Sequence, residues 1–361
     1  MTHQQAERDG NEMKKTVDKT YCMSSFLTYR FTVDRSRCYT EALSPFYVPY
    51  PSPRTPIHDS DELLGFLKRS IAEKTAGRKC ALALSGGIDS AILLQLVPQN
   101  TMVYTFKCVV PGMEVTDETH AAAAYLKYAR PELKHCIVPV YWEDYEALMP
   151  EILRHKGEPT HSIEVQICKA ARQAKKDGCD LFIFGETADC IYGGHSQLLS
   201  RDWTIGDFAD RWTFVMPYKV LRDYKLIMEP YERYEKNGYI DVPAFLSDFE
   251  SEPSLNFYQN ACAVAGIELY APYAHTVMGV PLDLERVRRG ENKYLVREVF
   301  SRLYPGFAIP AKTPMPRPMN EWFKDWDGPV RPEFWAHCTD GMTGDQKWLV
   351  WALERFLDMI E

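Results

Sequence analysis

Hydrophobic positions along the chain alternate between short apolar runs and longer periodic segments. KCALAL (79–84), TMVYTFKCVV (101–110), KHCIVPV (134–140) and DLFIFGE (180–186) have the length and apolar, β-branched content of buried strands. Between them, SAILLQLV (90–97), DETHAAAAYLKYA (117–129) and SIEVQICKAARQAKK (162–176) carry helical patterns. One more helix precedes the series, where Asp59 or Ser60 can cap a segment whose Leu63, Leu64, Leu67 and Ile71 share a face. Strands alternating with helices imply an α/β fold with a parallel sheet covered on both faces, because parallel strands need crossover connections.

Outside this series the pattern changes. Residues 1 to about 20 are polar, SSFLTYRFTV (24–33) has the aromatic and β-branched content of a strand, and prolines 45, 49, 51, 53 and 56 impose an extended linker. The reading is an N-terminal extension, 1–56, with a short β element and a Pro-rich linker, followed by one unit over 57–361. Within that unit, 57–200 forms the α/β core and 201–361 a mainly helical part. The latter contains NFYQNACAVAG (256–266), NKYLVREVFSRLY (292–304) and a C-terminal amphipathic helix, with no strand run of comparable quality. IPAKTPMPRP (309–318) reads as a rigid loop.

Charge narrows the function. With 42 basic and 50 acidic residues the chain carries a net charge of −8, which argues against a general grip on nucleic acid. The 21 Tyr, 17 Phe and 8 Trp are then better read as core than as base-stacking platforms. No run approaches the roughly eighteen apolar residues of a membrane helix, and the polar start lacks a secretory signal. A cytoplasmic location without membrane contact is expected. Ten scattered cysteines form no CxxC pair and nine histidines no HExxH motif, so neither a zinc ribbon nor a redox motif is indicated.

The candidate chemistry lies where the first strand runs into a helix, at Ser85-Gly86-Gly87-Ile88-Asp89-Ser90. Two glycines there allow close approach of a ligand, and the helix start offers free amides at the positive end of its dipole. Phosphate is the natural guest, with Ser85 and Ser90 as hydroxyl donors. A serine-capped turn is the plainer alternative, but the position at the end of a first parallel strand favours phosphate. Asp89 would repel phosphate unless a cation lies between, and magnesium meets that need. The loop is not GxxxxGK[ST], so ordinary release of a γ-phosphate is not implied.

SGGIDS resembles the SGGxDS signature of the PP-loop ATP pyrophosphatases, proteins of adenine nucleotide α-hydrolase-like fold that split ATP between its α and β phosphates. Gly185-Glu186-Thr187-Ala188-Asp189-Cys190-Ile191-Tyr192-Gly193-Gly194-His195 is similar to the pattern GEGSDExFGGY of the asparagine synthetase domain and its relatives, the β-lactam and carbapenam synthetases. YTFKCVVPG (104–112) resembles the family segment whose backbone contacts adenine, IELYAPY (267–273) the family's VEARVPF, and ENKYLVREVF (291–300) its GKxxLR stretch. The likeness spans roughly 57–325.

The resemblance implies ATP and Mg2+ as cofactors, with Asp89 and Asp189 as metal ligands. It implies Ser85, Gly86, Gly87, Asp89, Ser90, Cys108 and Gly185 as ATP and pyrophosphate contacts, Glu186 as the base toward an attacking amine, and Lys293 and Lys312 as stabilisers of departing charge. The expected activity is adenylation of a small-molecule carboxylate, releasing pyrophosphate, then acyl transfer to ammonia or an amine with loss of AMP. Residue 2 is Thr rather than the family's catalytic cysteine, and the stretch before the loop is short, so no glutaminase domain is expected. Nitrogen then arrives as free ammonia, from an ammonia-supplying or carrier partner protein, or as a substrate amine, and a homodimer stays open. Cys190, Tyr270 and His275 depart from the family pattern and put the acyl substrate in question, and Cys190 admits a sulfur-carrier reading beside a packing one. Loops near 195–240 and 309–320 are expected to close the site. The alternatives are a PP-loop enzyme activating a nucleic-acid base or cofactor for sulfur or nitrogen insertion, and a non-catalytic nucleotide-binding subunit.

Overall fold

The computed structural model describes residues 15–310 and 315–361. Its centre is a five-stranded parallel sheet: β1 (Cys80–Ala83), β2 (Met102–Cys108), β3 (His135–Val140), β4 (Leu181–Ile183) and β5 (Glu268–Tyr270), in the order β5-β4-β1-β2-β3. Successive side chains point to opposite faces, so Ala81, Tyr104 and Phe182 enter one core while Leu82, Val103, Leu181 and Ile183 enter the other. Each such apolar side chain contributes roughly 1.5–3 kcal/mol by burial when it is large.

Helices cover both faces, as the alternating pattern predicts. We number them α1 (Lys19–Tyr29), α2 (Ser60–Thr75), α3 (Ile88–Leu96), α4 (Thr119–Ala129), α5 (Trp142–Lys156), α6 (Ile163–Lys176), α7 (Ala188–Ile191), α8 (Ser251–Val264), α9 (Tyr294–Leu303) and α10 (Gly344–Ile360). Leu63, Leu67 and Ile71 of α2, Leu93 and Leu94 of α3 and Val299 and Phe300 of α9 fill one core. Ala170 and Ala174 of α6, Phe257 and Ala261 of α8 and Trp348 and Leu353 of α10 fill the other. Trp348, Trp351 and Trp322 pack around Trp142 and Tyr145, which makes this aromatic cluster core.

Three readings of the chain are corrected. SSFLTYRFTV is mostly helix: α1 starts at Asp18, whose carboxylate accepts the Tyr21 amide at 3.0 Å, and ends at Arg30 in the left-handed region. Every residue from Tyr21 to Tyr29 is buried, so neither a strand nor a helix period is visible. Ser24 and Thr28 fit that interior by donating to carbonyls four residues back, at 2.8 Å each. The N-terminal β element is only Thr16–Val17 beside Arg37–Cys38.

The last sheet strand, β5, comes from the C-terminal half, where no comparable strand was expected. It is a three-residue edge strand with Glu268 exposed, too short and polar to stand out. The linker's end also pairs, Thr55–Ile57 lying parallel to Thr276–Met278. Finally, α5 interrupts the expected step from β3 to α6. Its inward stripe is thin, Tyr145, Met149, Ile152 and Leu153, and Pro150 stands inside it.

Candidate active site

β1 is flanked by β2 on one side and β4 on the other, so the chain's direction of travel across the sheet reverses between β1 and β4. Open α/β sheets collect ligands outside the strand ends at such a point. Leu82 is in register with Ile183, which brings the segments after β1 and β4 out at the same rim. After β1, the Ser85 amide donates to Ser90 Oγ at 3.0 Å and the Gly87 amide to Ser85 Oγ at 3.1 Å. The two hydroxyls lie 2.9 Å apart. The serines therefore shape the loop themselves, and Gly87 leaves the start of α3 without a side-chain cap.

After β4, Gly185 lies so close to α3 that an added Cβ would stand 3.1 Å from Asp89 Cβ and from the Ser90 amide. Thr187 then takes φ 72°, a left-handed conformation that costs a β-branched residue strain. Glycine holds this position in the family pattern. The turn at Thr187 separates Glu186 from Asp189, the second residue of α7.

Lys293 joins the two halves. Its Nζ lies 2.6 Å from Asp89 Oδ2 and 3.0 Å from Asp189 Oδ1, and the residue is 7% exposed. Burial alone would lower its pKa, but the two carboxylates outweigh that and hold the ammonium well above the ordinary lysine value. Lys293 reaches this point from the left-handed N-cap of α9.

The carboxylates that the resemblance assigns to magnesium thus share one cation already. Among the described residues no third acid, cysteine or histidine completes a metal cage. That donor set fits magnesium, which is held by one or two carboxylates plus phosphate and water oxygens rather than by an all-protein cage.

A cavity of about 360 Å³ opens at this rim. Ser85, Gly86, Gly87, Asp89, Ser90, Gly185, Glu186, Asp189 and Lys293 all line it, so nearly the whole predicted set converges. Glu186 Oε1 accepts the Ser254 hydroxyl at 2.7 Å, and Tyr258, one turn further along α8, lines the cavity beside it. Arg297, one turn beyond Lys293 on α9, also lines it; burial lowers its pKa, with Glu291 opposing, and its buried Nε has no hydrogen-bond partner among the described residues. Asp117 and Glu118 complete the acidic lining. Arg297, Glu118, Ser254 and Tyr258 were not anticipated; Arg297 alone had a visible signal, its place in the segment resembling GKxxLR.

Other predicted residues fall elsewhere. Cys108 does not line the cavity: its buried thiol faces the Pro316 carbonyl at 3.6 Å, burial pushes its pKa up to about 12, and Phe106 faces the cavity in its place. Lys312 lies outside the described residues. Cys190 is buried with Sγ 3.6 Å from His195 Nε2 and is not among the lining residues. Tyr270 and His275 pack on each other, ring centroids 5.4 Å apart, and do not line the cavity. Ile309, Pro310 and Met315 line the cavity as expected of 309–320, but no residue of 195–240 does. That segment instead supplies Phe208 and Trp212 to the core around Phe245.

The fold and rim define a PP-loop α/β protein with a site suited to ATP. Over residues 62–332 the chain matches the asparagine synthase family, and it belongs to that family. This places it among ATP-using enzymes of the ligase type. Among solved structures it is similar to NMN synthetase from Francisella tularensis, at 14% identity over 71% of this chain and 96% of that one, TM-score 0.25. It is also similar to NAD+ synthetase from Burkholderia pseudomallei, at 15% identity over 57% and 89%, TM-score 0.24. No curated protein matches the chain significantly. No helix among the described residues is long and apolar enough to cross a membrane.

Proposed function

We propose that this protein adenylates a small-molecule carboxylate with ATP and passes the acyl group to ammonia or an amine, with AMP and pyrophosphate as by-products. The observation that carries this reading is the pair Asp89–Asp189 closed around one cation at the rim of the cavity that also holds the glycine loop and Glu186. Adenylation replaces a poor leaving group by a good one; the residues supply orientation and charge. The amide of Gly86 and the start of α3 receive the phosphates, and Lys293 and Arg297 offset charge as pyrophosphate departs. Magnesium held by Asp89 and Asp189 would add its charge to that offset. Glu186, oriented by Ser254, accepts a proton from the attacking amine. The apolar wall of Phe106, Phe184, Ile309 and Met315 excludes water from the acyl-adenylate.

The experiment is a pyrophosphate- and AMP-release screen over carboxylates, with and without ammonia, in wild type and Asp89→Asn. Carboxylate-dependent release that falls about a hundredfold or more in the variant is the expected result. Release from no carboxylate, with ATP still bound, would leave only a nucleotide-binding role.

A further inference from the structure

Glu118 stands at the N-cap of α4 and does not cap it. The short side chains of Asp, Asn, Ser and Thr cap a helix from that position, and the longer Glu does not have to. The start of α4 is fixed instead by Asp117, which accepts the Thr119 amide at 2.8 Å and pairs with Lys107 at 2.8 Å. This leaves the Glu118 side chain to reach across the rim, where Oε1 accepts the Gly86 amide at 3.1 Å. A Cβ added to Gly86 would stand 3.4 Å from that oxygen and 3.3 Å from Ala121 Cβ, so the carboxylate lies directly against bare backbone. Burial raises the Glu118 pKa and the Gly86 amide opposes this; among the described residues, the charged neighbour acting on it is Asp117, an acid. A partly buried carboxylate is held here by a loop amide.

That amide belongs to the cradle proposed for pyrophosphate, and one N–H cannot serve a carboxylate and a phosphate oxygen together. We propose that Glu118 is an internal competitor for the pyrophosphate portion of ATP. Its carboxylate holds the Gly86 amide in the nucleotide-free protein, yields it to a phosphate oxygen when ATP binds, and takes it back as pyrophosphate leaves. No covalent step is involved. The exchange replaces one charge-assisted hydrogen bond by another, so it weakens the hold on the polyphosphate and favours product release. The inference rests on reading the glycine loop as a phosphate cradle.

The test is calorimetric titration of the full chain, with magnesium, using inorganic pyrophosphate and AMP as separate probes. Wild type, Glu118→Ala, Glu118→Gln and Asp89→Asn are compared. Glu118→Ala is expected to bind pyrophosphate about tenfold more tightly, the worth of one displaced charged hydrogen bond, and Glu118→Gln, which removes only the charge, about threefold more tightly, while AMP affinity stays within about twofold. Glu118→Gln keeps an acceptor for Gly86, so it carries the test if the alanine variant misfolds. Pyrophosphate affinity unchanged or weakened in the Glu118 variants, while Asp89→Asn weakens it, overturns the role of Glu118 alone. Equal tightening of AMP overturns it as well, because AMP has no pyrophosphate to compete. No pyrophosphate binding in wild type or any variant overturns the cradle and this proposal together.

Discussion

Lys293 donates to Asp89 across 2.6 Å from the start of a helix in the second half of the chain, and its ammonium simultaneously lies 3.0 Å from Asp189. The two acids come from separate strand ends, the lysine from neither. The site is therefore closed by α9 packing on α3, and its charge balance depends on that tertiary contact rather than on either motif alone. An ammonium between two carboxylates also marks where a metal-bound polyphosphate would bring competing charge.

Replacing Lys293 by Met leaves Asp89 and Asp189 facing each other with that cation removed. Breaking a buried pair costs about 3–5 kcal/mol, and since both acids keep some solvent contact the expected loss is roughly 2 kcal/mol. Magnesium should restore part of it. Thermal unfolding with and without magnesium reads this directly: the midpoint of Lys293→Met rises more on metal addition than that of wild type. Equal rises would mean that the carboxylates do not share a metal position.

Gly194 offers a steric test of the second acid. A Cβ there would fall 1.8 Å from Asp189 Oδ1 and 2.7 Å from its Cα, so Gly194→Ala must displace Asp189. We expect a stability loss of about 1–3 kcal/mol from overpacking and loss of magnesium-dependent ATP binding. Gly206 has no atom within 4 Å of its added Cβ and lies in a helix. Gly206→Ala should gain up to about 1 kcal/mol and keep ATP binding. Denaturation midpoints and nucleotide titration of the two variants, side by side, separate the local clash from a general effect of alanine.

What could be read from the chain follows from how locally each feature is encoded. Ser85 to Ser90 was legible because two glycines between a strand and a helix leave amides open to a phosphate, and Gly185 to Asp189 through its likeness to the family pattern, and nearly all of these residues line one cavity. Glu118, Ser254 and Tyr258 were not, because each is an ordinary residue at a helix start or on a helix face until the fold brings Gly86 or Glu186 beside it. The helix α1 was taken for a strand because burial on all sides erases the period that distinguishes the two. β5 was passed over because an edge strand of three residues buries little and pairs on one side only. The Cys108 side chain faces the core at its register, which leaves only its backbone for the adenine contact that the resemblance implies.

Ser254 gives the proposed base its orientation, through a 2.7 Å hydrogen bond to Glu186. Ser254→Ala removes one donor to a carboxylate, which costs stability about 1 kcal/mol. Its larger effect should fall on acyl transfer, slowed about tenfold, while carboxylate-dependent exchange of labelled pyrophosphate into ATP continues. Measuring exchange and amide formation on the same preparation separates the two half-reactions. If both fall together, Glu186 belongs to adenylation instead.

His161 makes stability depend on pH in a defined direction. It is buried, its ring stacked on Phe257 at 5.1 Å and its Nδ1 accepting the Ile163 amide at 3.3 Å. Burial, followed by the positive charges of Arg30, Arg317 and Lys156, holds its pKa well below 6.5. The imidazole therefore stays neutral in the folded protein while the unfolded chain takes up a proton as pH falls below about 6.5. The unfolded state then binds more protons, so this contribution is complete above pH 6.5 and is lost as pH falls, by up to about 1.4 kcal/mol per pH unit. His161→Phe keeps the stacking and removes the titration. At pH 5.5 wild type should have lost roughly 1 kcal/mol more than the variant relative to pH 7.5, measured by chemical denaturation at both pH values. His135 and His275, whose pKa values burial also lowers, titrate in both proteins, so the difference isolates His161. Parallel pH curves would show that His161 titrates in the folded protein as it does in the unfolded chain.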